Sequence, residues 1–239
     1  MLSRTSLIAR VLSSNTDCLI GPRLVKTCGL FLLNKLANIS SALFVLILTL
    51  ASFVPLRVVM AQSPSVSMQT ATKFLDQRSY VLIVRHAQTE PGIGDPPNFM
   101  LNDCSTQRNL SSEGREYARQ LGGAINPKRI DRILHSQWCR CADTAVLISD
   151  SKSIVAVYPA LNSFFDRRAL QQDPQQLQTA ALKKFIKSYR PVSGKHLVLV
   201  THQVNMTTLT GELPQMGEVF AVSLDNPERV KFRFMVNAP

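Results

Sequence analysis

Tyr80-Val81-Leu82-Ile83-Val84-Arg85-His86 is the stretch that decides the fold. Its first five residues form a continuous, β-branched apolar run, as in a strand buried on both faces. The run stops on two side chains that carry chemistry. Other runs repeat the plan. Residues 132–135 lead into Ser136-Gln137-Trp138-Cys139-Arg140, and residues 196–200 lead into Thr201-His202. Residues 154–158 read as a further strand, and 218–223 with 230–236 as a closing hairpin. Helices fall between them. Ser111 caps one through about Ile125, with Tyr117, Ala118, Leu121, Ala124 and Ile125 on one stripe. Residues 140–148 form the next. Asp173-Pro174-Gln175-Gln176 is a strong helix start, with Leu177, Ala181, Phe185 and Tyr189 along one face. A short helix begins near Val204. Alternating strands and helices predict an α/β three-layer sandwich, a mainly parallel sheet with helices on both faces.

Ligands of such sheets bind beyond the carboxyl ends of the strands. Three predicted strand ends deliver Arg85, His86, Arg140 and His202 towards one edge. Two guanidiniums and two imidazoles suit a compact dianion, because each planar fork pairs two phosphate oxygens. An imidazole can also serve as nucleophile, acid or cation near neutral pH. A small phosphorylated molecule is therefore the expected partner.

Four segments, in order, resemble one family. Val84-Arg85-His86-Ala87-x-Thr89 resembles the Arg-His-Gly signature of the histidine phosphatase superfamily, the phosphoglycerate mutase and acid phosphatase group, with Ala87 in place of the glycine. Asn109-Leu110-Ser111-x-x-Gly114 is similar to its capped helix start. Ser136 through Arg140-x-x-x-Thr144-Ala145 resembles the segment that supplies a second arginine, and Val200-Thr201-His202 the one that supplies a second histidine. The resemblance spans about residues 79–224 and implies a phosphoglycerate mutase-like fold. It implies that His86 attacks phosphorus while Arg85, Arg140 and His202 hold the phosphoryl oxygens. No metal and no cofactor are expected from it.

The proton donor is the open position. Where larger acid phosphatases carry an Asp after the second histidine, this chain has Gln203. In mutase-like branches the acid follows the third strand, which selects Asp166. Glu90 is the reserve candidate and Glu218 a further one. Arg108 and Asn109, before the capped helix, are candidate substrate or phosphate ligands. His135 is expected to be structural, and His196, at the start of a strand, to sit at the surface. Trp138 is a packing residue or a stacking platform.

The chain ahead of this domain has a different character. Residues 1–61 hold six basic residues and one acid, and residues 36–56 hold no charge. The apolar centre of that run, then Val59-Met60-Ala61, follows the layout of a secretory signal peptide ending at Ala61. An uncleaved membrane anchor is the alternative, since 21 uncharged residues nearly span a bilayer. The division is thus 1–61 signal peptide or anchor, 62–78 short lead-in and 79–239 the histidine phosphatase domain. Much of the net charge of +11 lies in the leader, and no basic stripe interleaved with aromatics follows, so nucleic acid is not an expected partner. The membrane enters only through the N-terminal segment, if it is retained.

A periplasmic or secreted protein lives in an oxidising space. Of the three cysteines after residue 61, Cys104 is expected to pair with Cys139 or Cys141. The expected function is an exported, metal-independent phosphomonoesterase working through a phosphohistidine on His86. The alternatives are a phosphoglycerate-mutase-type phosphotransferase and a non-catalytic phosphate- or phosphoglycan-binding protein.

Overall fold

The computed structural model describes residues 62–236 apart from 93, 150 and 166–173. The expected leader, 1–61, and Asp166 lie outside the described residues. One compact unit spans Ala61–Pro239.

Among the described residues five helices and six strands follow one another: α1 Met68–Gln77, β1 Val81–Arg85, α2 Ser112–Ile125, β2 Ile130–His135, α3 Cys139–Ile148, β3 Val155–Val157, α4 Pro174–Ser188, β4 His196–Thr201, α5 Gln203–Thr210, β5 Val219–Val222 and β6 Val230–Phe234. The six strands form one sheet in the order β3-β2-β4-β1-β5-β6. The pairings from β3 to β1 are parallel, and β5 and β6 add an antiparallel edge. The architecture is the expected three-layer sandwich.

The pleat of β1 sorts its side chains into two cores, since successive residues face opposite ways. Leu82 and Val84 pack with Ala71 and Leu75 of α1, Leu121 of α2 and Ala145 of α3. Val81 and Ile83 pack with Leu182 and Ile186 of α4 and Met206 of α5. Every residue of β4 is buried, because β2 and β1 flank it and helices cover both faces. No polar alternation is therefore needed in these strands, which is why they read as apolar runs.

Three elements differ from expectation. The lead-in 62–78 contains α1, capped by Ser67, whose hydroxyl accepts from the Thr70 amide. The chain before it bridges to Arg233 of β6 through Ser65. On α4 the buried positions are Thr179, Leu182 and Ile186, while Leu177 is 65% exposed. The inward face is thus rotated from the expected one, and Phe185 and Tyr189 pack at its edge. His196 is buried rather than at the surface, because β4 is central. Its Nδ1 accepts the Tyr80 amide, and burial pushes its pKa down to about 4.

Among the described residues no helix is long and apolar enough to cross a membrane.

Candidate active site

The strand order makes β2, β4 and β1 neighbours, so their carboxyl ends lie side by side. Hydrogen bonding continues past the strands. The His86 amide donates to the Thr201 carbonyl and the Ser136 amide to the Val200 carbonyl, at 3.0 and 3.1 Å. His86, Ser136 and His202 are thereby fixed by the sheet itself.

A cavity of about 720 Å³ opens over these ends. Arg85, His86, Arg108, Arg140 and His202 line it, with Asp95, Phe99 and Trp138. Arg108 thus joins the strand-end residues. Asn109 does not line the cavity; its side-chain amide donates to the Cys104 carbonyl and holds the loop. Glu90 is exposed and outside the cavity, with its amide on the Asn109 carbonyl. Glu218 is buried in a two-bond pair with Arg233, at 2.6 and 2.7 Å. Neither carboxylate reaches the cavity. His135 has the structural place expected of it, with Nδ1 donating to the Ser136 carbonyl.

The state of His86 follows from one contact. Its Nδ1 lies 2.9 Å from the Ala87 carbonyl oxygen, which can only accept. Nδ1 therefore carries the proton and Nε2 the lone pair. Burial, then the Arg140 charge, push the His86 pKa down to about 3, so the ring is neutral near physiological pH. Gly217, at φ 80°, donates to the Arg85 and His86 carbonyls. Only glycine adopts that φ cheaply. The two imidazoles lie 5.5 Å apart, ring centre to ring centre. Burial, then the neighbouring His86 and Arg140, hold His202 well below its ordinary range.

The helix carrying Arg140 is tied to the strand carrying His86. Thr144 donates to the Arg140 carbonyl and accepts the Ala87 amide, at 2.7 and 3.1 Å. This is what the Arg-x-x-x-Thr spacing accomplishes, since residues four apart share a helix face. The Arg140 guanidinium lies 4.4 Å over the Trp138 ring, and Phe99 packs against the same ring at 4.3 Å. Trp138 is therefore both packed and a wall of the cavity. The Ser111 cap accepts the Gly114 amide, and Gly114 passes so close to Gln88 that a methyl group there would overlap the Gln88 carbonyl.

Cys104 pairs with Cys139, which settles the alternative left open above. Cys139 faces the loop that follows β1. Cys141, two residues on and turned away by the helix, is buried against the Thr201 carbonyl. The bridge fastens that loop at the start of α3, next to Arg140.

Charge in the cavity is unbalanced. Three guanidiniums face one carboxylate, Asp95, whose Oδ1 accepts from an Arg140 terminal nitrogen at 2.8 Å and from the Arg108 amide at 3.0 Å. The Nε–H groups of Arg85, Arg108 and Arg140 are buried without a hydrogen-bond partner. The protein alone thus leaves two positive charges unmatched in the cavity lining, a fit for a dianion. Among the described residues no group of three or more His, Cys, Asp or Glu is placed to hold a metal. Sequence reading missed Asp95. Its signal was a Gly/Pro-rich loop of unusual length directly after His86, since such loops in compact domains are commonly functional.

The solved structures similar to this chain include the protein histidine phosphatase SixA complexed with tungstate, at 18% identity over 65% of this chain and 96% of that one, TM-score 0.46. TTHB049 from Thermus thermophilus is 23% identical over 64% and 98%, TM-score 0.45. YhfR of Bacillus stearothermophilus is 17% identical over 61% and 91%, TM-score 0.45. No curated protein matches the chain. Residues 81–163 match the family model described as histidine phosphatase superfamily (branch 1). That span holds the Arg85-His86 strand end, the Ser111 cap and the Arg140 helix, the parts the structure gathers around one cavity, and over those residues the chain is similar to the histidine phosphatase superfamily.

Proposed function

We propose that the protein is an exported, metal-independent phosphomonoesterase that acts through a phosphohistidine on His86. The observation that carries this reading is the His86 tautomer. A neutral ring with Nδ1–H tied to a carbonyl has its Nε2 lone pair available in a cavity rimmed by three arginines.

In the proposed reaction the substrate dianion settles among Arg85, Arg108 and Arg140. The Nε2–P bond forms as the P–O bond to the leaving group breaks, and the leaving oxygen departs with a proton. Water then attacks phosphorus, the Nε2–P bond breaks, and inorganic phosphate leaves. Charge on the transferring group is stabilised by the guanidiniums and His202, which take the part a cation would play. The Cys104–Cys139 bridge supports the export reading, because such bonds persist in oxidising compartments.

The test compares the full chain with its His86→Ala variant on an aryl phosphate in the presence of EDTA. An alkaline denaturing quench preserves a P–N bond that acid would break. EDTA-resistant turnover and a trapped phosphoprotein, both lost in His86→Ala, are expected. Phosphate binding without turnover in either protein would replace the enzyme with a phosphate-binding protein.

A further inference from the structure

A phosphoryl-transfer site of this kind needs a group to protonate the leaving oxygen. The carboxylates singled out from the sequence do not supply it among the described residues: Glu90 is exposed outside the cavity, and Glu218 is consumed by Arg233. Asp166 lies outside them. Gln203, after His202, cannot act as an acid. One carboxyl among the described residues does line the cavity with His86, and it is Asp95.

The geometry points to Asp95 as the proton donor of the phosphoryl transfer, an inference that rests on the phosphomonoesterase reading. Asp95 is held in place by more than its own contacts. Phe99 stacks on Trp138, the Gln107 side chain accepts the Cys139 amide at 2.9 Å, and the Cys104–Cys139 bridge closes the same loop. The Asp95 side chain is 15% exposed and that of Arg140 is 7% exposed. A largely buried carboxylate is thus presented over the arginine cluster by a fastened loop.

With no substrate bound, Asp95 is the anion on Arg140. A phosphate ester brings two negative charges and competes for the same guanidinium. A carboxylate displaced from its cation and set beside a dianion favours its protonated form, because like charges disfavour ionisation. It takes that proton from solvent. The Asp95 O–H then gives the proton to the leaving oxygen as the P–O bond breaks and the Nε2–P bond forms. In the second half the carboxylate takes a proton from the attacking water as the new O–P bond forms and the Nε2–P bond breaks. Loss of phosphate and of the proton returns Asp95 to Arg140.

The experiment uses the full chain and Asp95→Asn, which keeps the shape and the acceptor for the Arg108 amide. The quantity measured is kcat/KM, which reports the phosphorylation half alone, on p-nitrophenyl phosphate, whose leaving group needs no proton, and on an alkyl phosphate, whose leaving group does. General acids contribute about 10²–10⁴-fold. The variant is expected to lose about 100-fold or more on the alkyl ester and less than about 10-fold on the aryl ester. It should also accumulate phosphoenzyme from the aryl ester, and inorganic phosphate should inhibit it more tightly because its rival for Arg140 is gone. Equal losses on both esters with weaker phosphate inhibition would overturn the proposal and leave Asp95 a clamp for Arg140. Unchanged or raised rates on both would overturn it too. Should Asp95→Asn lose its thermal transition, Asp95→Ser is read in the same way. A wild-type chain that forms no His86-dependent phosphoenzyme overturns the phosphatase reading itself, a result distinct from any failure confined to the Asp95 variants.

Discussion

The Ser136 hydroxyl oxygen lies 2.9 Å from His202 Nε2. The same hydroxyl lies 3.1 Å from Asn162 Oδ1, which also accepts the Gln137 amide. A hydroxyl has one proton to give. When Ser136 donates to Asn162, His202 must donate from Nε2; when Ser136 donates to His202, Nδ1 carries the ring proton. The neutral Nε2–H ring already satisfies both contacts at once, so a second proton can be added on Nδ1 without disturbing either. The chain from His202 through Ser136 to Asn162 therefore suits a ring that gains its proton when a dianion arrives.

Replacing Ser136 with alanine removes that relay and leaves Asn162 and the Trp138 amide without the hydroxyl. A hydrogen bond to a charged group is worth about 1.5–3 kcal/mol. Inhibition by inorganic phosphate should weaken by roughly ten- to a hundredfold on that scale, with the phosphoenzyme still forming on His86. Unaltered phosphate inhibition would remove the relay from the binding site.

The Cys104–Cys139 bridge closes a loop with a sequence separation of 35 that holds the Asp95 segment's far end at the start of α3. Bridges of this kind contribute about 2–4 kcal/mol. The Cys104→Ser, Cys139→Ser double variant should lose about that much stability in urea, and its phosphate inhibition should weaken because the loop beside Arg140 is loosened. A variant with the parent's urea midpoint would show that the loop is held by its other contacts.

Cys141 is buried beside His202 Nε2 at 3.5 Å, and burial pushes its thiol up to about 12. Thiolate, not thiol, is the nucleophile. Iodoacetamide should leave Cys141 unlabelled in the native, unreduced protein and label it once the chain is unfolded. Rapid labelling of Cys141 in native protein would contradict the burial.

Acid should destabilise the fold before its carboxylates are protonated. An unfolded imidazole titrates near 6.5. In the fold, burial and Arg140 bring His86 to about 3, and burial and Arg129 bring His196 to about 4. His202 is lowered as well. Below 6.5 the unfolded chain therefore binds more protons than the folded one, and stability falls as pH falls. The urea midpoint should drop steadily between pH 6.5 and 4.5. His196→Gln, neutral throughout, should give a shallower drop. A midpoint flat over that window would mean that these rings are charged in the folded protein.

Much of the fold was legible because its signals are local. The runs ending at Val84 and Val200 are apolar on both faces, and only a strand covered on both sides tolerates that. Ser111 and Gly114 announced the start of α2, since a hydroxyl cap and a close approach to Gln88 each demand a particular residue type. The lead-in helix α1 was missed, because its buried residues are only Ala71 and Leu75, too thin a stripe to stand out. The inward face of α4 was missed for a related reason: Leu177 and Leu182 are equally apolar, and only the neighbouring β4 and α5 decide which of them is covered.

The sequence by itself determined the strand ends and the residues they carry: Arg85, His86, Arg140 and His202 follow apolar runs, and sheets of this class present such residues at one edge. It also carried the resemblance to the histidine phosphatase superfamily, in segments short enough to read along the chain. The tertiary structure alone decided which further groups meet them. Arg108 and Asp95 reach the cavity from a loop with no periodicity, and their places depend on a disulfide, a Phe99–Trp138 stack and an ion pair with Arg140. His196 is buried because β4 became a central strand. Local patterns follow from the backbone's short-range preferences, whereas the partner of a charge or a thiol is set by contacts between residues far apart in the chain.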